Sequence, residues 1–179
     1  MQILTFPNNI LRKIATAYNL SKESEKKSIP ELIKEMAKAM YESNGIGLAA
    51  PQVGVSKRLF LIDVEQKIEK DDEGEVISRT PGKLLVFINP KIIEKEGTVV
   101  YEEGCLSVPG VYEEVKRAET ITIEYYDEHY EKKEITTDGL LSIVIQHEYD
   151  HLDGKLFIDR LPMVKRTIVK NRLLKGKNL

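Results

Sequence analysis

Apolar positions along the chain change period several times, and each change marks an element. Leu32, Ile33, Met36, Ala37 and Met40 recur at helical spacing. Ser28-Ile29-Pro30-Glu31 ahead of them has the form of a capping box with proline in the first turn, and Asn44-Gly45 is a stop signal. This predicts a helix over 29–43. Residues 59–64 and 84–89, built on the short apolar runs 59–62 and 84–88, read as buried strands. The stretch 65–83 between them is rich in charge and contains Gly74, Pro81 and Gly82, which predicts a solvated loop or a mobile hairpin. Residues 98–101 and 120–126 read as further strands. Asp127-Glu128-His129-Tyr130 reads as a turn and 133–136 as the returning strand.

A second helix follows, capped by Thr137 or Asp138 and stopped at Gly154. It runs through Leu140, Leu141, Ile143, Val144, Ile145, His147, His151 and Leu152, is apolar on nearly all sides, and is therefore expected to be central and buried. Pro162 opens a last segment, 162–179, with Lys165, Arg166, Lys170, Arg172, Lys175 and Lys177 and no acidic side chain. Val164, Ile168, Leu173 and Leu174 are spaced to form one face of a helix there. The order of elements predicts an α+β fold: largely antiparallel sheets packed around the central helix, with an N-terminal helix and a basic C-terminal helix.

Composition narrows the class. The 179 residues suit one compact domain, and 41% hydrophobic with 31% charged residues suits a soluble one. A net charge of -2 gives no field drawing the chain to nucleic acid, and no apolar run approaches the roughly 20 residues of a membrane span. The start MQILTFPNN has neither the pattern of a secretion signal nor that of a transit peptide, so a cytoplasmic protein is expected. The single cysteine, Cys105, cannot form an internal disulfide, which leaves packing, nucleophilic chemistry or metal ligation.

His147-Glu148-Tyr149-Asp150-His151 points to the third. Residues four apart share a helical face, so two imidazoles can bind one metal ion, and Glu148, rotated by about 100°, can reach a water beside that ion without ligating it. The usual third ligands are missing. No Glu follows Glu148, and Phe157 occupies the position where an extended motif would carry a third His. His129, an Asp or Cys105 remain. His129 falls in a hydrophilic turn, whereas Cys105 sits in Glu103-Gly104-Cys105-Leu106-Ser107 and offers a strong thiolate ligand. The residues favour His147, His151 and Cys105 with an open fourth position. A closed structural site that includes His129 and a thiol hydrolase with Cys105 as nucleophile are the competing readings.

Three stretches together resemble the peptide deformylase family: Gly45-Ile46-Gly47-Leu48-Ala49-Ala50-Pro51-Gln52, Glu103-Gly104-Cys105-Leu106-Ser107 and Gln146-His147-Glu148-Tyr149-Asp150-His151. The resemblance implies hydrolysis of the N-formyl group from the initiator methionine of newly made polypeptides. It implies one divalent metal ion, Fe2+ by expectation, with Zn2+, Ni2+ or Co2+ able to substitute, held by Cys105, His147 and His151. Glu148 would be the general acid/base, Gln52 and the Leu106 N–H would bind the developing oxyanion, and the Gly47 backbone would pair with the substrate chain. Ile46, Tyr112, Leu140, Ile143 and Val144 would line the methionine pocket. Tyr112 falls where some members carry Arg, and 65–83 is longer than in compact members. In the branch ending in a C-terminal helix, such a basic helix docks on the ribosome, so 1–161 is read as the catalytic domain and 162–179 as its basic tail. Considered only as a charge run, that tail is a solvated helix face. No membrane and no sequence-specific nucleic acid is expected as a partner.

Overall fold

The structure is a computed structural model that describes residues 1–73 and 76–175. Gly74 within the charged stretch and 176–179 of the basic tail, including Lys177, lie outside the described residues. Among the described residues, nine strands and three α-helices follow one another as α1 (Glu23–Glu42), β1 (Gly47–Ala49), β2 (Leu59–Ile62), β3 (Lys67–Lys70), β4 (Val76–Thr80), β5 (Leu85–Glu96), β6 (Val99–Cys105), β7 (Val108–Arg117), β8 (Thr120–Tyr126), β9 (Lys132–Thr137), α2 (Gly139–Leu152) and α3 (Met163–Lys175). An antiparallel sheet of order β1-β2-β5-β8-β9 is flanked by two hairpins, β3–β4 and β6–β7. The expected α+β fold is the observed one.

Alternation in the central strands explains how two helices share one sheet. Leu59, Leu61, Val86 and Ile88 face α1 and pack with Ile29, Met36 and Met40. Their neighbours Phe60, Ile62 and Phe87 face α2 and pack with Val144, Ile145 and Leu152. Phe60 and Phe87 are register partners whose rings stack at 4.7 Å. A strand buried on both faces needs an unbroken apolar run, which is what 59–62 and 85–88 supply. A third cluster, of Leu11, Val108, Val111, Val115, Leu156, Phe157 and Val169, joins β7 to α3.

Several expectations are corrected. The first helix begins at Glu23, not near Ile29. Ser28 does not cap it: its hydroxyl donates to Glu25 O at 2.7 Å inside the helix. Pro30 lacks the N–H that would bond Lys26 O, and the Tyr130 hydroxyl donates to that carbonyl at 2.9 Å. A long-range partner thus lets proline sit mid-helix. Strand β5 runs past Asn89, whose φ of +49° accompanies a register shift and whose side chain bonds both backbone groups of Tyr18. Asp138 stands at the N-cap of α2 but makes no side-chain capping bond. Gly154 does end α2, at φ +68°, where a Cβ would meet Arg12 O at 2.6 Å. In α3 the inward face is Val169 with Leu173, while Val164, Ile168 and Leu174 are exposed. Within 65–83, strands β3 and β4 pair as a hairpin whose base Asp63 clamps, accepting from Glu65 N, Gly82 N and the Tyr41 hydroxyl at 3.1, 2.9 and 2.8 Å. None of the described helices is long and apolar enough to cross a membrane.

Candidate metal centre and active site

Helix α2 is buried from Ser142 to Glu148 and again at Asp150, His151 and Leu152. It is set in place partly by Gln146, which donates to Ala118 O at 2.9 Å and accepts from Ala118 N at 3.0 Å, tying the helix to the β7–β8 turn. One helical turn then sets His147 edge-on to His151, with ring centroids 5.1 Å apart. The third group arrives from the β6–β7 hairpin. Its register shifts between Gly104 and Cys105, and this bulge turns the Cys105 sulfur to within 3.3 Å of His151 Nε2. Gly104 beside it leaves room for the Tyr112 ring, which a Cβ there would meet at 2.6 Å. Ligand atoms of Cys105, His147 and His151 lie within 4.8 Å of one another. Two imidazoles and a sulfur at that spacing fit a tetrahedral metal ion with one position left over. His129 is exposed in the β8–β9 turn and takes no part, so the four-ligand structural site receives no support.

Electrostatics sets the two histidines apart. Burial alone would push the His147 pKa down, but the Cys105 sulfur and the Glu103 carboxylate hold it well above the usual range. His151 is pushed well below it, first by burial and then by the charge on His147, and its Nδ1 has no partner. His151 is thus the neutral imidazole that metal ligation requires. His147 Nδ1 bonds Glu103 at 2.8 Å, which leaves Nε2 for the metal side.

Sequence reasoning quoted Glu103 only as part of a motif and missed what holds it. Arg117 grips Glu103 through two bonds, at 2.6 and 2.8 Å, and reaches Asp150 at 2.6 Å. Asp150 is also held by Arg160, at 2.5 and 2.6 Å, and these arginines keep its carboxyl at about 2 against the pull of burial. A buried chain of charges, Glu103–Arg117–Asp150, thus backs His147. Asp150, between the two histidines of the motif, was the one signal available. Arg117 has none in its local sequence.

Glu148 lies beside the cluster, 3% exposed, with Oε2 unpartnered. Burial is the main reason its pKa rises from 4.5 to about 7; His147 and Arg117 pull it down and Glu103 adds to the rise. The folded protein therefore binds this proton more tightly than the unfolded chain. The resulting stabilisation is complete below pH 4.5 and is lost as pH rises through about 7. Chelator-stripped protein is expected to lose about 3 kcal/mol over that window from this group. Denaturant titrations of wild type and Glu148→Gln, subtracted pH by pH, measure it, and equal slopes would remove the effect.

Gln52 and Leu106, the residues expected to bind an oxyanion, both lie next to Cys105. Gln52 sits in a short 3₁₀ turn, Ala50–Val53, accepting from Ala49 N at 2.8 Å and donating to Ser107 Oγ at 3.1 Å and the Cys105 sulfur at 3.6 Å. Leu106 follows Cys105 in the turn joining β6 to β7. A cavity of about 720 Å3 opens from these groups, lined by Ile46, Gly47, Leu140, Ile143 and Val144 as well as Glu148 and His147. Tyr112 also borders it but is 69% exposed, so it stands at the mouth rather than in the wall. His151 lies behind Cys105 and is not part of the lining. Gly47 is the closest approach of β1 to Glu148: a Cβ would lie 2.5 Å from Oε1. Gly47→Ala should displace that carboxylate and lower kcat/KM roughly 100-fold. Unchanged kinetics, with circular dichroism confirming the fold, would refute the constraint.

Comparison with known proteins agrees with this geometry. The family model described as Polypeptide deformylase matches residues 1–167. Peptide deformylase 2 of Xanthomonas campestris pv. campestris is 45% identical over 175 residues, covering 98% of this chain and 95% of the relative. A crystal structure of a peptide deformylase from Legionella pneumophila superposes with a TM-score of 0.79 at 41% identity, over 99% of this chain and 95% of that one. The peptide deformylase of Synechococcus elongatus in complex with actinonin superposes at 0.81 and 36% identity, over 100% and 88% of the two chains. The family model spans residues 1–167 and these relatives match nearly the whole length, so the chain belongs to the polypeptide deformylase family.

Proposed function

We propose that this enzyme removes the formyl group from the N-terminal formyl-methionine of new polypeptides, with Cys105, His147 and His151 holding Fe2+ and Glu148 moving the protons. The carrying observation is the convergence of three side chains able to hold a metal ion and one buried, unpartnered carboxylate oxygen beside a cavity. When bound, a divalent ion supplies a Lewis-acidic centre that brings the pKa of water near neutrality. Glu148 takes a proton from the attacking water as its oxygen bonds to the formyl carbon. The Gln52 amide and the Leu106 N–H donate to the carbonyl oxygen as it gains charge. Glu148 then passes the proton to the leaving amine, the C–N bond breaks, and formate departs.

Specificity follows from the same surfaces. Strand β1 is an edge of the five-stranded sheet, and its outer side borders the cavity, so the substrate chain can add to it as a further strand at Gly47. Ile46, Leu140, Ile143 and Val144 offer the apolar lining that a flexible thioether fills. The donor set suits Zn2+, Ni2+ or Co2+ as well as Fe2+, and Fe2+ lies below Zn2+ in affinity, so supply decides occupancy. Metal analysis of anaerobically purified protein, run beside formyl-Met-peptide turnover, tests the reading. Activity that survives complete metal removal would reject it and favour Cys105 as a nucleophile.

We place the enzyme in the cytoplasm, and α3 is its proposed contact with the ribosome. Lys165 and Lys170 are committed to Glu113 and Asp159, whereas Arg172 and Lys175 have no ion pair among the described residues. They share the helix with exposed Met163, Val164 and Ile168. Cosedimentation with ribosomes should weaken as salt rises and disappear when residues 165–179 are removed. Binding that survives truncation would eliminate the helix as the contact.

A further inference from the structure

The β3–β4 hairpin forms a wall of the cavity that the proposed chemistry leaves unused. Val64, Gln66 and Ile68 line the cavity at alternate positions, so one side of this segment faces it. Arg79 also lines it and stands opposite Ile68 in the strand register, where directly paired residues share a face. The hairpin is held firmly at its base. Besides the Asp63 clamp, Gly82 packs so closely that a Cβ would lie 2.4 Å from Glu65 O.

Two polar atoms on this wall are buried without a hydrogen bond. Gln66 Nε2 donates to Gly45 O at 2.8 Å and to Asp63 O at 3.1 Å. Only the amino end of an amide can serve two carbonyls, so the orientation of Gln66 is fixed. Its Oε1 is then a buried acceptor without a donor. Arg79 Nε is a buried donor without an acceptor, and Arg79 has no ion pair among the described residues. Buried groups of this kind normally have partners, and both residues border the cavity into which a substrate chain must extend.

We propose that Gln66 and Arg79 form a docking site for the main chain of the substrate beyond its formyl-methionine. Gln66 Oε1 accepts from a peptide N–H, and Arg79 Nε donates to a peptide C=O. An acidic side chain would satisfy Arg79 and leave Gln66 orphaned. A peptide main chain offers both complements whatever its sequence, which suits an enzyme that meets many different chains. The proposal rests on the deformylase reading and adds a length-dependent term to it.

The test compares formyl-Met-Ala with formyl-Met-Ala-Ala-Ala, whose side chains offer no amide or charge. For metal-loaded Arg79→Met, the ratio of kcat/KM for the tetrapeptide over the dipeptide should fall about tenfold relative to wild type, through KM rather than kcat. An unchanged ratio, or an equal loss on both substrates, overturns the role of Arg79. The role of Gln66 is tested on the wild-type enzyme, using tetrapeptides in which each downstream amide is replaced in turn by an ester. One position should cost about tenfold in kcat/KM, and no loss at any position overturns it. Absence of wild-type turnover on every formylated peptide is a separate result, which would reject the deformylase reading and the docking site with it.

Discussion

Replacing Glu148 by Gln should lower kcat on formyl-methionyl peptides by roughly 10³-fold while metal content stays at the wild-type level. The substitution keeps the volume and removes the group that accepts and returns the proton. Its neighbours stay in place, because His147 is held by Glu103 and Cys105 is contacted by Gln52. Glu148 Oε2 has no protein partner, so no internal hydrogen bond to that oxygen is lost. Alanine at the same position should be as inactive and would open a void beside Gly47. Turnover within a few-fold of wild type, with metal bound, would show that the proton moves through another group. If metal is lost with activity, Glu148 belongs to the ligand field rather than to proton transfer.

The second large effect should come from a residue that touches no reacting atom. Arg117 is 1% exposed at its side chain and is shared by Glu103 and Asp150. Arg117→Met fills much of the same space but leaves buried Glu103 with His147 alone and Asp150 with Arg160 alone. Breaking one buried pair typically costs about 3–5 kcal/mol, and a chain of this size loses about 2–4 °C per kcal/mol, so Tm should fall by roughly 10 °C or more. The metal should loosen as well. Glu103 would no longer be fixed against His147, and loss of such an outer partner typically weakens metal affinity about 10–100-fold. Calorimetry and competition with a metal indicator measure both effects. Lys116→Met, one residue away and exposed, is the control. Similar behaviour of the two variants would mean that the charge chain supports neither fold nor metal.

How far the sequence could be read depended on where each interaction partner lies. Helix α2 was legible because a helix apolar on nearly all sides has few places to go except the interior. His147 and His151 were legible because four residues of helix fix their spacing. Cys105 emerged because the usual third ligands were missing. Its aim, by contrast, depends on a bulge opposite Val108 and Tyr112 that local sequence does not announce. The start of α1 was misplaced because Pro30 normally marks a first turn, and the hydroxyl that lets it sit deeper comes from Tyr130 across the fold. Strand β7 was missed because exposed polar residues interrupt its apolar positions. Glu103, Arg117 and Asp150 come from three separate elements, so only the folded chain brings them together. Gln52, Leu106 and the pocket residues were reached through the family resemblance rather than through any pattern of their own.

The division of the proposed metal ligands between two elements would have a consequence for how the chain responds to its surroundings. Cys105 belongs to the β6–β7 hairpin and the two histidines to α2, with β8 and β9 intervening along the chain. An ion spanning them acts as a removable cross-link, closing a long loop that the bare polypeptide must hold by packing alone. By mass action, the folded population rises with free metal concentration. Scarcity of metal therefore removes catalytic capacity and also exposes the protein to unfolding and degradation, so the amount of enzyme would follow the supply of the ion it uses.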